Sequence, residues 1–127
     1  MNKEIEKLIK DPFLNWLLVI AYATIIFVYS SMTAAELPSV TTRLPDWIMH
    51  FVEYFIFGIL LFRALFVSGC KKKAALLAVV LAFAYAISDE VHQLFIGERF
   101  FSLKDIVIDT IGAAIAQIGG LKKIFLK

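Results

Sequence analysis

Charged residues stand at the borders of apolar segments long enough to cross a membrane, and this pattern constrains the fold more than any other feature. Hydrophobic residues make up 61% of the 127 in the chain, against roughly 45 to 50% in an ordinary soluble domain. A membrane-spanning helix needs about 20 apolar residues, so the chain has room for about four. The sequence therefore predicts an all-α integral membrane bundle of four transmembrane helices, forming a single domain over residues 1–127.

Breaks in the apolar pattern predict where the four spans begin and end. Asp11 and Pro12 are typical of a helix start, and the Pro-containing residues 31–46 read as a loop. The third apolar run is too short to cross unless its helix continues through the polar residues that follow it, to about Ile96. The predicted spans are residues 13–31, 47–67, 74–96 and 105–122.

The N-terminal segment allows two interpretations. Ile5, Leu8 and Ile9 lie at helical spacing among lysines, which predicts a short amphipathic helix on the membrane surface. A cleaved signal peptide is the alternative, since a basic start precedes an apolar run and residues 33–35 weakly resemble a cleavage site. The apolar run is longer than a typical signal core, which favours an uncleaved first span.

The distribution of Lys and Arg predicts the orientation. Basic residues are enriched in the cytoplasmic flanks of membrane helices, so with four spans both termini are expected in the cytoplasm. Their place beside spans explains these residues without nucleic-acid binding, and the single cysteine, Cys70, excludes an internal disulfide. One side carries Lys3, Lys7, Lys10, Lys71, Lys72, Lys73, Lys122, Lys123 and Lys127, and the other carries Arg43, Arg99 and Lys104.

Ionisable residues at membrane depth are costly and usually face a protein interior or a water-filled cavity, so they indicate a functional site. Positions three or four apart share a helix face, and small residues let helices pack closely. The acidic residues are therefore expected at the end of a helix seam, in the outer half of the membrane. The two small-residue lanes are Ala74, Ala78, Ala82 and Ala86 leading to Glu90, and Asp105 and Asp109 leading to Gly112, Ala116 and Gly120; His50, Glu53 and Tyr54 share a third face.

A closed salt-bridge network is the structural alternative to a functional site. In that interpretation Arg99 and Lys104 neutralise part of the acidic cluster. The acids outnumber these bases, however, so carboxylates would remain unpaired, protonated or available to a cation. The imbalance favours a site that binds something.

The order of these motifs resembles the VanZ-like family of small membrane proteins over about residues 25–120. The chain departs from the family pattern before Arg99, where the usual Pro is absent. The resemblance implies a bacterial envelope protein of the cytoplasmic membrane with a role in teicoplanin-type glycopeptide resistance. The matching residues are Tyr29-Ser30-Ser31, His50-Phe51-x-Glu53-Tyr54, Asp89-Glu90-x-His92-Gln93, Arg99, Ser102, Asp105, Asp109 and Gly112.

Three activities fit these residue types. The first is binding of a phosphate-bearing lipid or lipid-linked envelope precursor, in which Arg99 and protonated histidines contact the phosphate. The second is a metal-dependent hydrolase or transferase acting on a lipid head group, and the third is proton- or cation-coupled transport, which would require oligomers. The binding candidates are His50, Glu90, Gln93, Arg99, Asp105 and Asp109; the catalytic candidates are Glu53, Asp89 and His92; the candidate ligands of a divalent metal are Glu53, Asp89, His92 and Asp109.

Overall fold

Every regular element in the described part of the chain is a helix. The structure, a computed structural model, describes residues 2–125, without the side chains of 41, 42 and 121–125. Lys127 and the side chains of Lys122 and Lys123, which entered the orientation prediction, lie outside that description. The helices are α1 (Lys3–Ile9), α2 (Pro12–Ser30), α3 (Ser39–Thr42), α4 (Asp46–Val67), α5 (Ala74–Gln93) and α6 (Leu103–Phe125).

Among the described residues, α2, α4 and α5 are the three helices long and apolar enough to cross a membrane. The fourth predicted span corresponds to α6, which has 23 residues. Asp105 and Asp109 lie in its first two turns and lower its apolar character. The all-helical prediction is confirmed, and the composition of three helices is that of a multi-pass membrane protein.

The first span begins where its capping residues predict. Pro12 opens α2, and the Asp11 side chain accepts a hydrogen bond from the Leu14 backbone N–H at 3.0 Å. This contact satisfies one of the N–H groups that a helix start leaves without a partner. The predicted amphipathic segment before it forms α1, whose apolar Ile5, Leu8 and Ile9 are exposed.

The loop between α2 and α4 has local structure of its own. It contains the one-turn helix α3, within residues 31–46 that were predicted to be a loop. The Thr33 backbone N–H and hydroxyl donate to the Glu36 carboxylate at 2.8 and 3.0 Å. Both bonds favour the ionised acid and lower the pKa of Glu36.

The polar cluster after the third apolar run belongs to its helix, as predicted, but the predicted end at about Ile96 is wrong by three residues. The helix α5 ends at Gln93. Beyond it the N–H groups of Leu94, Phe95 and Ile96 bond to carbonyls three residues back, which tightens the chain into a turn. Glu98 then has φ of 64°, in the left-handed region, and cannot continue a helix.

The helix α4 lies at the centre of the bundle and packs against α2, α5 and α6. Its approach to α6 is close enough to require glycine. A Cβ on Gly112 would lie 2.6 Å from the Phe51 carbonyl oxygen, and one on Gly58 would lie 2.9 Å from the Ala113 Cα. Small residues thus allow two backbones to meet, as is common in membrane helix pairs.

The alanine lane of α5 is buried over its whole length, as predicted. All four of its alanines, and Glu90 at its end, have 0% exposure. On α6, Asp109 is likewise fully enclosed and Gly112 is buried. The seam of α4, α5 and α6 therefore leads to a set of acidic side chains at one end of the bundle.

Candidate functional site

His50 is the centre of the acidic cluster. Its Nδ1 lies 2.9 Å from Asp109 Oδ1, and its Nε2 lies 3.6 Å from Asp105 Oδ2 and 3.8 Å from Asp46 Oδ2. Asp46 is one turn before His50 on α4, whereas Asp105 and Asp109 are one turn apart on α6. Helical spacing thus aims three carboxylates at one imidazole.

Glu90 approaches the same cluster from α5. Its Oε2 accepts a hydrogen bond from the Ser102 backbone N–H at 2.9 Å. The Ser102 hydroxyl in turn accepts one from the Asp105 backbone N–H at 3.2 Å, a contact that caps the start of α6. The fold therefore couples the position of Glu90 to the turn that presents Asp105.

Two carboxylate oxygens in this cluster have no hydrogen-bond partner among the described residues. They are Glu90 Oε1 and Asp109 Oδ2, and both side chains are fully buried. A buried polar atom without a partner costs free energy and calls for an explanation, such as a bound ion, water or proton.

A cavity of about 380 Å³ opens beside the cluster. His50 lies at the junction, since it both lines the cavity and contacts the buried acids. The apolar part of the wall comes mainly from α2 and α4, with Ile25 and Val52 each about half-exposed on the outer surface of the bundle. The polar and ionisable side chains in the wall are Tyr22, Tyr29, Ser30, Asp46, His50, Glu53, Asp89, Gln93 and Arg99.

Arg99 lines this cavity without forming an ion pair to any carboxylate in the described part of the chain. Its Nε is buried and has no hydrogen-bond acceptor there. Lys104 is exposed and likewise forms no ion pair with the described carboxylates. Neither base therefore forms the expected close ion pair with a described carboxylate, although Arg99 is near enough to Glu53 and Asp89 to interact electrostatically, and His50 is the side chain in close contact with the acids of α6.

His92 has a different environment from His50. Its Nε2 lies 2.8 Å from Ser31 Oγ, and its ring stacks on Phe27 with centroids 4.5 Å apart. The Ser31 hydroxyl also reaches the Phe27 carbonyl oxygen at 2.7 Å. Because that hydroxyl can donate only one proton, the pair is best satisfied when the ring N–H of His92 donates to Ser31.

The predicted site residues thus divide into three groups. Glu53, Asp89, Gln93 and Arg99 line the cavity, Glu90, Asp105 and Asp109 gather around His50, and His92 joins α5 to α2 outside the cavity wall. Within the described residues, two groups have geometry that could hold a metal ion: Asp46 with His50 and Asp105, and His50 with Glu90 and Asp109. Of the predicted metal candidates, Asp109 belongs to such a group.

Asp46 and Tyr22 line the cavity but were not among the predicted site residues. Asp46 precedes His50 by four residues, so the same helical spacing that grouped His50 with Glu53 would have found it. Tyr22 lies in an apolar run without such a signal, and its hydroxyl donates to the Glu53 carbonyl oxygen at 3.1 Å. Only packing of α2 on α4 reveals it as part of the cavity.

Chemically, the arrangement combines an unpaired guanidinium, a histidine within reach of several acids, and an apolar wall. Guanidinium groups bind phosphates and carboxylates through charge-assisted hydrogen bonds. Carboxylates and an imidazole can hold a divalent metal or move protons.

Comparison with known proteins identifies one family. The family model described as VanZ/LLP1 matches residues 13–121 of the chain. That range includes α2, α4 and α5 together with the residues around the cavity and His50. Neither the curated proteins nor the solved structures include a significant match. The extent of the family match shows that this chain belongs to the VanZ/LLP1 family.

Proposed function

We propose that the protein binds the phosphate-bearing head group of a membrane lipid or lipid-linked envelope precursor in the cavity beside His50. The observation that carries this proposal is the environment of Arg99. Its guanidinium lines the cavity, its Nε lacks an acceptor, and no described carboxylate pairs with it. An anionic group entering the cavity would supply that missing partner.

The rest of the cavity suits an amphiphile. Ligand sites are usually apolar with a few polar groups that set the orientation of the ligand. Here Ile25 and Val52 place apolar surface where the bundle faces lipid, while Gln93 and Asp89 offer partners for amide or hydroxyl groups. A lipid can thus bring its head group toward Arg99 while its chains stay against α2 and α4.

The membrane arrangement in this proposal has four spans, with α6 as the fourth and both termini in the cytoplasm of a bacterial inner membrane. Lysines cluster before the first span, in the turn between α4 and α5 and after the last span, and these clusters support that orientation. The cavity then opens in the outer half of the membrane, on the side that faces the cell envelope.

Family membership and this position support a proposed role in resistance to teicoplanin-type glycopeptides. Binding of an envelope precursor or an anionic lipid at the outer surface would change how much of that molecule is accessible to the antibiotic. We expect a sensitive bacterial host that produces the protein to show a higher inhibitory concentration of teicoplanin than a host producing Arg99→Gln at equal abundance.

The direct test is lipid retention by the full chain purified in mild detergent. Anionic phospholipid titrated against the protein and followed by native mass spectrometry should bind Arg99→Gln about 10- to 100-fold more weakly than wild type, the loss of a charge-assisted hydrogen bond. Lys104→Gln is the matched control, because Lys104 is exposed at the start of α6. Equal binding by wild type and Arg99→Gln, or an equal loss in Lys104→Gln, would contradict the proposal.

The second candidate function is a metal-dependent hydrolase or transferase acting on a lipid head group. The observation in its favour is that acids and histidine meet at the edge of a cavity that could hold the substrate. In this case Glu53→Gln or Asp89→Asn would abolish turnover of the bound lipid while leaving the helices folded. Full activity in chelator-treated protein would argue against it.

A further inference from the structure

The three helices of the packed seam each contribute one side chain to a single buried point. His50 of α4, Glu90 of α5 and Asp109 of α6 offer ligand atoms that all lie within 4.8 Å of one another. We propose that His50, Glu90 and Asp109 form a binding site for a divalent transition-metal ion. This site goes beyond the lipid-binding proposal and does not depend on it.

The unpaired oxygens are the independent evidence for a ligand. Glu90 and Asp109 have 0% exposure, and each retains one oxygen without a hydrogen-bond partner among the described residues. A neutral imidazole with two ionised carboxylates carries a charge of −2, which a divalent cation balances. A protonated His50 would leave a net charge of −1 and the same two oxygens without partners.

The measured spacing suits direct coordination. Two ligand atoms at right angles around a metal, each about 2.1 Å from it, lie about 3.0 Å apart. The hydrogen bond between His50 Nδ1 and Asp109 Oδ1 has nearly the same length, 2.9 Å, so a metal ion could replace the shared proton with little movement of these two atoms. Glu90 offers a carboxylate oxygen within 4.8 Å of the other two ligand atoms, and its approach would complete a three-ligand site with room for a water or a substrate oxygen.

Contacts outside the three ligands would hold them in place. The Ser102 backbone N–H fixes the other oxygen of Glu90, and Asp105 Oδ2 lies 3.6 Å from the far ring nitrogen of His50. A carboxylate that accepts a hydrogen bond from the second nitrogen of a ligating histidine usually sets its orientation and tautomer. At 3.6 Å Asp105 lies just beyond hydrogen-bond distance and would have to move slightly closer to do so, whereas the Ser102 contact already holds Glu90 in place.

The donor set selects the kind of metal. Imidazole nitrogen favours zinc and other transition metals, while carboxylates also suit manganese. One nitrogen and two carboxylates therefore point to Zn²⁺ or Mn²⁺ rather than to Ca²⁺, which prefers oxygen ligands alone.

The test is metal titration of the full chain, stripped with chelator and depleted of lipid in detergent. We expect wild type to bind about one Mn²⁺ or Zn²⁺ per chain, and Glu90→Gln and Asp109→Asn to bind it at least tenfold more weakly, in the range that disturbed metal sites show. Mn²⁺ bound to wild type should show coupling to a ligand nitrogen in its electron paramagnetic resonance spectrum, and His50→Gln should lose it.

Thr110→Val is the matched variant, because Thr110 neighbours Asp109 on α6 but lies outside the cavity wall and the three-residue group, and its hydroxyl donates to the Ile106 carbonyl of its own helix. It should keep the wild-type metal affinity, and circular dichroism should show equal helix content in all variants. Failure of wild type to take up a stoichiometric ion, or an equal loss in Thr110→Val, would overturn the site even if Glu90→Gln does not fold. Arg99→Gln should lose lipid but keep the metal, which separates this proposal from the lipid site.

Discussion

His50 connects the buried acids of the bundle to the cavity. The side chain contacts Asp109 on the interior side, and Asp105 and Asp46 lie near its other nitrogen. A histidine in this position compensates acidic groups that the low-dielectric interior would otherwise disfavour. We therefore expect His50 to stabilise the cluster, whereas Arg99 forms no close ion pair with a described carboxylate.

Replacing His50 should consequently cost more stability than replacing the other histidine. His50→Gln removes the ionisable partner of a fully buried carboxylate, and breaking a buried pair of this kind typically costs about 3–5 kcal/mol. His92→Gln keeps an amide donor close to Ser31 and should cost about 1 kcal/mol, the net value of one hydrogen bond.

Thermal unfolding of the two variants in the same detergent, in metal-free buffer, measures this difference. A midpoint for His50→Gln at or above that of His92→Gln would show that the acids around His50 need no compensation from it.

The helix pair α4 and α6 determines where the site forms. Their backbones approach closely at Gly112, one turn from Asp109, and this contact brings Asp109 against His50. A larger side chain at that point would separate the helices at the level of the cluster.

Gly112→Ala should therefore destabilise the bundle. Its Cβ would lie 2.6 Å from the Phe51 carbonyl oxygen, a backbone atom that cannot rotate away. Overpacking of this kind costs about 1–3 kcal/mol. Gly119→Ala on the same helix is the matched control, because its Cβ meets nothing within 4 Å.

Thermal unfolding in detergent should show a lower midpoint for Gly112→Ala and an unchanged or higher one for Gly119→Ala, since alanine favours helix formation over glycine. Equal midpoints for the two variants would show that the close contact of α4 and α6 at Gly112 can be widened without loss of stability.

At the scale of the whole molecule, the proposed orientation places the site and the lysine-rich turn on opposite sides of the membrane. Cys70 lies in that turn, between α4 and α5, and is the sole cysteine of the chain. It can therefore report which side of the membrane the turn occupies.

In intact cells, a membrane-impermeant maleimide should leave Cys70 of wild type unmodified and should modify it after the membrane is opened. A cysteine introduced by Glu98→Cys in a Cys70→Ser background should react in intact cells, because residue 98 is exposed in the loop between α5 and α6. If the maleimide modifies Cys70 of wild type in intact cells, the proposed orientation is wrong and the cavity faces the cytoplasm.

Local features of the sequence determine much of this architecture. Apolar runs and capping residues such as Asp11 predict the long helices, because hydrophobic length and backbone capping act within a segment. Helical spacing also predicts the buried face of α5, from its alanine lane to Glu90. The end of α5 at Gln93 is less predictable, because a turn with Glu98 at positive φ competes with a sequence that could continue as helix.

The arrangement of the site was decided only by tertiary packing. Sequence spacing shows that Glu90 and Asp109 are on packed faces, but not that they meet at His50 while Glu53 and Asp89 face the adjoining cavity. Sequence spacing likewise does not show that Arg99 lines the cavity without an ion pair, or that His92 contacts Ser31. Periodicity fixes direction around one helix axis, whereas contacts between helices depend on their rotation and depth, which close approaches such as that at Gly112 determine.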